Sequence, residues 1–212
     1  MNKSLFVFLL AAMVLFGSGL WYRYRTNAAD ERGATKLMRS FEQAAEKQRV
    51  LRMIRRSDNL NARDKAGRSA LFYAVRHTDD AKMIQHLLQM GADATLVDIT
   101  GQTALMMAAR YNPSEEILMH LLAAGAPVNT VDNAGYTALL FAVRYNTPGV
   151  VKKLLRAGAD ADTKTLDGQT VVELLAENDK FSQEEKEDYA LAFRVLAIIG
   201  PHPRGFINGE KR

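Results

Sequence analysis

The side chains with the greatest capacity for chemistry are a few histidines and paired carboxylates. The 212-residue sequence has four histidines, at His77, His86, His120 and His202. Imidazole is a common ligand for transition metals, and His86 and His120 both directly precede a Leu-Leu pair. On neighbouring helices, which pack roughly 10 Å apart, they could not share one metal at a bond length of about 2 Å. We therefore predict surface histidines and no metal site.

Adjacent carboxylates are the second candidate, for acid–base catalysis. The pairs Asp79-Asp80 and Glu115-Glu116 stand at the start of helix-like segments, where acidic groups interact favourably with the helix dipole. No carboxylates come from two converging segments, and the sequence lacks the phosphate-binding and metalloprotease motifs. It has no cysteine, which excludes disulfides, thiolate catalysis and cysteine-ligated metals. These observations predict a protein that is not an enzyme and needs no cofactor.

The overall composition is that of a folded domain with a mild basic charge. Hydrophobic residues make up 48% of the chain and charged residues 25%, as in ordinary globular proteins. The net charge is +4, with lysines and arginines spread along the sequence, whereas nucleic-acid binders concentrate them on one surface. We predict no nucleic-acid partner and keep nucleic-acid binding as a minor alternative.

The elements that position these side chains are set by an internal repeat. Three segments share the pattern D-x-x-G-x-(S/T)-A-L-x-x-A, with their evenly spaced glycines at Gly67, Gly101 and Gly135. A shorter fourth copy contains Gly168, after nearly the same interval. Each of the three full copies ends in L-L-x-x-G-A, at Gly91, Gly125 and Gly158.

Each recurring residue type in the repeat has a physical reason. The first glycines suit a tight turn with positive φ, and the second set suits the end of a helix. Hydroxyl residues stand at the helix starts, where their oxygens can cap free N–H groups; these are Ser69, Thr103, Thr137 and Thr170. The following Leu and Ala have helical spacing for a core. We also predict that the methionines fill the core, at Met106, Met107 and Met119.

This pattern resembles the ankyrin repeat, D-x-x-G-x-T-P-L-H-x-A followed by a second helix that ends in L-L-x-x-G-A. The Pro and His of the family pattern are missing here, whereas the Thr or Ser, the Leu and the Ala keep their places. The resemblance implies an all-α ankyrin-repeat solenoid of stacked helix-turn-helix units with β-turn fingers, about four repeats plus capping helices. The predicted domain covers residues 37–200, with a cap at 37–63, repeats at 64–97, 98–131 and 132–164, and a second cap at 165–199. Terminal units of such stacks are atypical because one face meets water.

The N-terminal segment predicts contact with a membrane. Residues 5–21 form an uncharged apolar run, and aromatic and basic residues follow it, as at a membrane interface. We expect a single-pass anchor over residues 5–22 in a bacterial inner membrane. The alternative is a signal peptide cleaved near Gly17-Ser18-Gly19, which would leave a periplasmic protein. The side of the membrane on which the repeats lie is open, residues 26–36 are interpreted as a linker, and residues 201–212 as a flexible tail.

The resemblance also implies where a partner binds, because ankyrin-like proteins use the concave face. Arginines take the same place in three successive repeats, at Arg76, Arg110 and Arg144. His77, Tyr111 and Tyr145 follow them, and the next loops contain Thr78, Asn112 and Thr147. The turn tips add Lys65, Arg68, Gln102 and Tyr136.

This face predicts a non-catalytic protein–protein interaction module, with a monomeric repeat domain that binds another protein. Arginine and tyrosine are the types enriched in interface hot spots, so an acidic segment is the expected ligand. In the alternative interpretation the arginines recur through duplication, and each pairs with a neighbouring layer. If the chain is exported, the same module would be a soluble periplasmic binding protein of an inhibitory or immunity type.

Overall fold

The computed structural model describes residues 32–43, 45–57 and 59–199. This part of the chain consists of helices without a β-strand, apart from one isolated bridge between Val97 and Thr103. Its ten helices are α1 (Lys36–Glu42), α2 (Lys47–Arg56), α3 (Ala70–His77), α4 (Ala81–Gln89), α5 (Ala104–Tyr111), α6 (Glu115–Ala123), α7 (Ala138–Tyr145), α8 (Pro148–Arg156), α9 (Val171–Ala176) and α10 (Gln183–Ile199).

The helices form pairs that stack into one continuous core. The odd-numbered helices form an inner layer, in which each contacts the next, and α4, α6 and α8 form an outer layer in the same way. The repeated leucines Leu71, Leu105 and Leu139 are fully buried at the centre of this core. The repeated alanines beside them are small enough for the inner helices to pack closely, so each unit completes the core of its neighbour.

The turns between pairs project as fingers that hydrogen-bond to one another. The predicted turn glycines have positive φ, from 78° at Gly67 to 83° at Gly135. The backbone N–H of Ile99 donates to the carbonyl of Ala66 at 3.0 Å, and that of Asn133 donates to Thr100 at 2.9 Å. Three fingers begin with a buried aspartate that accepts backbone N–H groups of its own turn; these are Asp64, Asp98 and Asp132.

The first helix pair is a complete unit with its own finger. Gly33 has φ +80°, Ala34 is fully buried, and the Thr35 side chain caps α1. The backbone N–H of Lys65 donates to the carbonyl of Arg32 at 2.8 Å, as between the other fingers. The packed domain therefore includes residues 32–36, which the sequence analysis placed in a linker.

Two predictions about local contacts are wrong. Thr103, Thr137 and Thr170 cap their helices by accepting a backbone N–H, but the Ser69 hydroxyl is buried without a hydrogen-bond partner. Met119 is 45% exposed, because it lies on the solvent side of α6 while Leu118 and Leu121 face the stack. Met106 and Met107 are buried as predicted.

Several predictions fall outside the described residues. These are the membrane anchor or signal peptide within residues 1–25, the linker up to residue 31 and the tail 201–212. Among the helices that the structure describes, none is long and apolar enough to cross a membrane.

Candidate partner-binding surface

The three predicted arginines form a column on the inner helices. Arg76, Arg110 and Arg144 lie in the last turns of α3, α5 and α7. These helices are successive copies of one unit, so a side chain in the same place of each copy lies above its counterpart. Tyr111 and Tyr145 end α5 and α7 and stand beside the column.

An aromatic ring separates the guanidinium groups of Arg76 and Arg110, which form the upper, N-terminal half of this column. The guanidinium of Arg76 lies 4.8 Å from the centre of the Tyr111 ring. That of Arg110 lies 5.1 Å from Tyr111, 5.2 Å from Tyr145 and 5.3 Å from Phe141. A cation over a ring face is attracted by the ring's quadrupole, by about 0.5–1 kcal/mol when exposed. The stack orders the arginines without using their N–H groups, which point outward in the guanidinium plane.

Arg144 differs from the two arginines above it. Its Nη1 donates to the Tyr136 hydroxyl at 2.5 Å, and its Nη2 lies 3.1 Å from the Glu177 carboxylate. Arg76 and Arg110, in contrast, form no salt bridge or hydrogen bond with any residue that the structure describes. Internal pairing therefore accounts for the lowest arginine of the column, whereas the upper two retain unused donors.

The turn tips contribute less exposed charge than the sequence suggests. Arg68 Nε is buried 3.5 Å from the Asp98 carboxylate, too poorly aligned for a hydrogen bond. The Gln102 side chain donates to Asp132 at 3.0 Å. Both side chains thus connect their own finger to the next one, and of the predicted tip cations Lys65 is the exposed one.

A pocket of about 270 Å³ opens at the upper end of the column. Its walls include Arg68, Tyr73, Arg76, His77 and Met107. The Tyr73 ring stacks on His77 at 6.5 Å between centroids. Burial and the nearby charge of Arg76 lower the pKa of His77, so the His77 ring is uncharged at neutral pH.

The Tyr73 hydroxyl is held below the pocket. It donates to the buried Asp64 carboxylate at 2.7 Å. Burial, together with this hydrogen bond, raises the pKa of Tyr73 to about 12. The protonated Tyr73 therefore stabilises the folded state fully below pH 10.0, the ordinary pKa of tyrosine. This stabilisation is lost as the pH rises from there to about 12, the pKa in the folded protein. Tyr73 is thus a fixed, neutral floor for the pocket.

Comparison with known families agrees with the stacked units. The family model for ankyrin repeats, in three copies, matches residues 71–165. Residues 71–165 are therefore ankyrin repeats. A comparison with curated proteins gives no match. Ankyrin repeats generally act as protein–protein interaction modules, and the all-α solenoid described above has their architecture.

The prediction for one loop residue in the repeat stack is wrong. Asn112, assigned to the binding face, is buried, and its side-chain amide donates to the carbonyls of Val75 and Thr78, both at 3.0 Å. Asn146 and Asn178 repeat this contact one and two layers further on. We call these three residues the asparagine ladder. Their near-regular spacing, close to the repeat length, is a signal that the sequence offered.

The histidines of the outer layer are less exposed than predicted. His86 and His120 are both half-buried, and their Nε2 atoms are buried without a hydrogen-bond partner. His120 Nε2 lies 3.7 Å from the Glu116 carboxylate. Within the described part of this ankyrin-repeat chain, no cluster of three or more histidines and carboxylates could hold a metal ion.

Proposed function

We propose that the protein binds an acidic segment of another protein along the upper half of the arginine column. One observation carries this proposal: Arg76 and Arg110 are stacked on aromatic rings, while their N–H groups make no hydrogen bond within the described chain. A guanidinium binds a carboxylate through two parallel N–H···O bonds in the guanidinium plane. The ring stack leaves that plane's edge open to a ligand.

The stack also supports affinity by ordering the arginines before binding. A long side chain that is immobilised on binding loses roughly 0.5–1.5 kcal/mol of conformational free energy. Arg110 is already held among three rings, so much of this loss precedes binding. The two carboxylates near the column do not compete, since Glu42 pairs with Arg32 and Glu177 pairs with Arg144.

The column can be tested with a matched pair of double variants. We expect R76Q/R110Q to bind a fluorescent heptaglutamate peptide at least about tenfold more weakly than the unmodified full-length protein, because each lost charged hydrogen bond is worth roughly 1.5–3 kcal/mol. The control is K82Q/K152Q, which removes two exposed charges from the outer helices α4 and α8. Fluorescence anisotropy gives both affinities, and circular dichroism checks folding. Equal weakening by the two variants would show that only net charge matters and would contradict the proposal.

We further propose that residues 5–22 hold this module at a bacterial inner membrane. The support is the uncharged apolar run, its aromatic and basic flank and its length, which matches the roughly 17–25 residues of a membrane-spanning helix. We expect the chain to stay in the membrane pellet at alkaline pH and to have the mass of the uncleaved sequence. A shortened chain in the soluble fraction would instead indicate export after cleavage.

A further inference from the structure

In the fourth helix pair, the unit of residues 132–164, one side chain on the concave face binds two others as a ligand would. The ring of Tyr136 stacks on Phe141, with centroids 4.6 Å apart and an angle of 22° between the planes. Arg144 Nη1 donates to the Tyr136 hydroxyl. A phenol at this place thus gains a ring stack below it and a charged donor at its oxygen.

The second unit has counterparts of Phe141 and Arg144 but no counterpart of the Tyr136 ring. Tyr73 takes the place of Phe141 and Arg76 the place of Arg144, because each pair is separated by two whole units of the repeat. The position of Tyr136 is occupied by Arg68, whose Nε turns towards Asp98 of the next finger. The space that the Tyr136 ring fills in the fourth unit is therefore open in the second, as the pocket of about 270 Å³.

We propose that this pocket receives a tyrosine side chain from the acidic partner segment, in the place that Tyr136 takes in its own unit. This inference rests on the proposed function, since the carboxylates beside the tyrosine bind the column. The incoming ring lies against Tyr73 and the Met107 side chain, a favourable neighbour for an aromatic ring. Its hydroxyl accepts a hydrogen bond from Arg76, which has no other acceptor among the described residues.

The size and charge of the pocket favour one anchoring side chain over a separate small molecule. Its volume, about 270 Å³, lies just below the roughly 300–1,000 Å³ of small-molecule sites. A single aromatic anchor in a pocket, surrounded by polar contacts, is the usual arrangement of an interface hot spot. Arg68 and Arg76 outweigh the one carboxylate in the wall, Glu42, which pairs with Arg32.

Three peptides distinguish the contribution of the tyrosine anchor to affinity from the contribution of the carboxylate charges. Each has six glutamates, with tyrosine, phenylalanine or alanine at the centre, and each is titrated against the full-length protein. We expect the tyrosine peptide to bind about tenfold more tightly than the alanine peptide, a typical effect for a buried aromatic anchor. The phenylalanine peptide should lie between them, because it keeps the ring contacts and lacks the hydroxyl.

Two substitutions at Arg68 give a matched test of the pocket. Arg68→Tyr copies the fourth unit and fills the pocket with the chain's own ring, so we expect the preference for the tyrosine peptide to disappear. Arg68→Gln copies the third unit, which has Gln102 at this position, and should keep the preference. Both variants lose the same charge and should therefore bind the alanine peptide equally.

The outcomes distinguish the anchor from the column. If the three peptides bind equally and R76Q/R110Q weakens all of them, the tyrosine anchor is overturned and the proposed function stands. A preference that survives in Arg68→Tyr also overturns the anchor, because the ring then binds elsewhere. If no peptide binds, or if R76Q/R110Q leaves the alanine peptide unaffected, the proposed function fails as well.

Discussion

Replacement of Asn146 by alanine is expected to lower the free energy of unfolding by about 3–5 kcal/mol. The side-chain amide donates to the carbonyls of Ala109 and Asn112 at 2.9 and 3.0 Å, in the unit before its own. Asn146 is buried, so no solvent reaches these carbonyls when the amide is removed. A buried polar group without a partner destabilises a protein by about 1–3 kcal/mol, and here two are left.

Urea unfolding followed by circular dichroism measures this effect. The control is Asn129→Ala, which also removes an amide that reaches the next unit, to the Gly158 carbonyl at 3.0 Å. Asn129 is exposed, so water replaces the lost bond and we expect a loss of about 1 kcal/mol or less. Similar losses in the two variants would mean that burial does not make the asparagine ladder important. Separate transitions in Asn146→Ala would show that units on its two sides unfold independently.

Gly135→Ala is expected to be more damaging than alanine at a turn glycine of nearly equal conformation. At Gly135 the backbone φ is +83°, and a Cβ would lie 2.5 Å from the backbone nitrogen of Leu166 and 2.8 Å from the carbonyl carbon of Thr165. The left-handed conformation alone disfavours alanine by roughly 1–2 kcal/mol. The clash with the next finger adds to this, because neither neighbour is the movable end of a side chain. We expect a total loss above about 3 kcal/mol.

Gly168→Ala isolates the contribution of the clash. Gly168 has φ +80°, but apart from Gly168 itself and its two neighbours in the chain, no described residue has an atom within 4 Å of the position that an alanine methyl group would take. Only the conformational loss of roughly 1–2 kcal/mol remains. Thermal or urea unfolding of the two variants therefore gives the effect of finger-to-finger contact as a difference. Equal stability of the two variants would show that the fingers separate without loss.

The repeat was predictable because each of its signals is local. A turn glycine, a hydroxyl at a helix start and a glycine at a helix end act within one unit, and three copies in phase confirm one another. The first unit shows the limit of this reasoning. Its segment from Asp30 to Ser40 keeps Gly33, Thr35 and Leu37 in register with the later copies, yet it lacks the Ala-Leu pair by which the others were aligned.

The candidate site was predictable in position but not in pairing. The register of the repeat gives Arg76, Arg110 and Arg144 the same place in successive units, and they lie in the last turns of α3, α5 and α7. Which arginine is paired depends on residues that differ between the units, such as Tyr136 of the same unit and Glu177 of the next unit around Arg144. Asn112 was misplaced for a similar reason, since the acceptors of the asparagine ladder are carbonyls of the preceding unit. Only the repeat-length spacing of the three asparagines indicates these contacts in the sequence.

The asparagine ladder and the finger hydrogen bonds point in one direction along the chain. The asparagine amides and the finger N–H groups belong to the later unit, and their acceptors are carbonyls of the earlier one. During synthesis on the ribosome, every emerging unit therefore meets a finished row of acceptors, whereas no unit must wait for a later one to satisfy these donors. A nascent chain that ends after a whole unit leaves carbonyls at its growing end, and water can hydrate these. For these hydrogen bonds, each acceptor is thus synthesised before its donor.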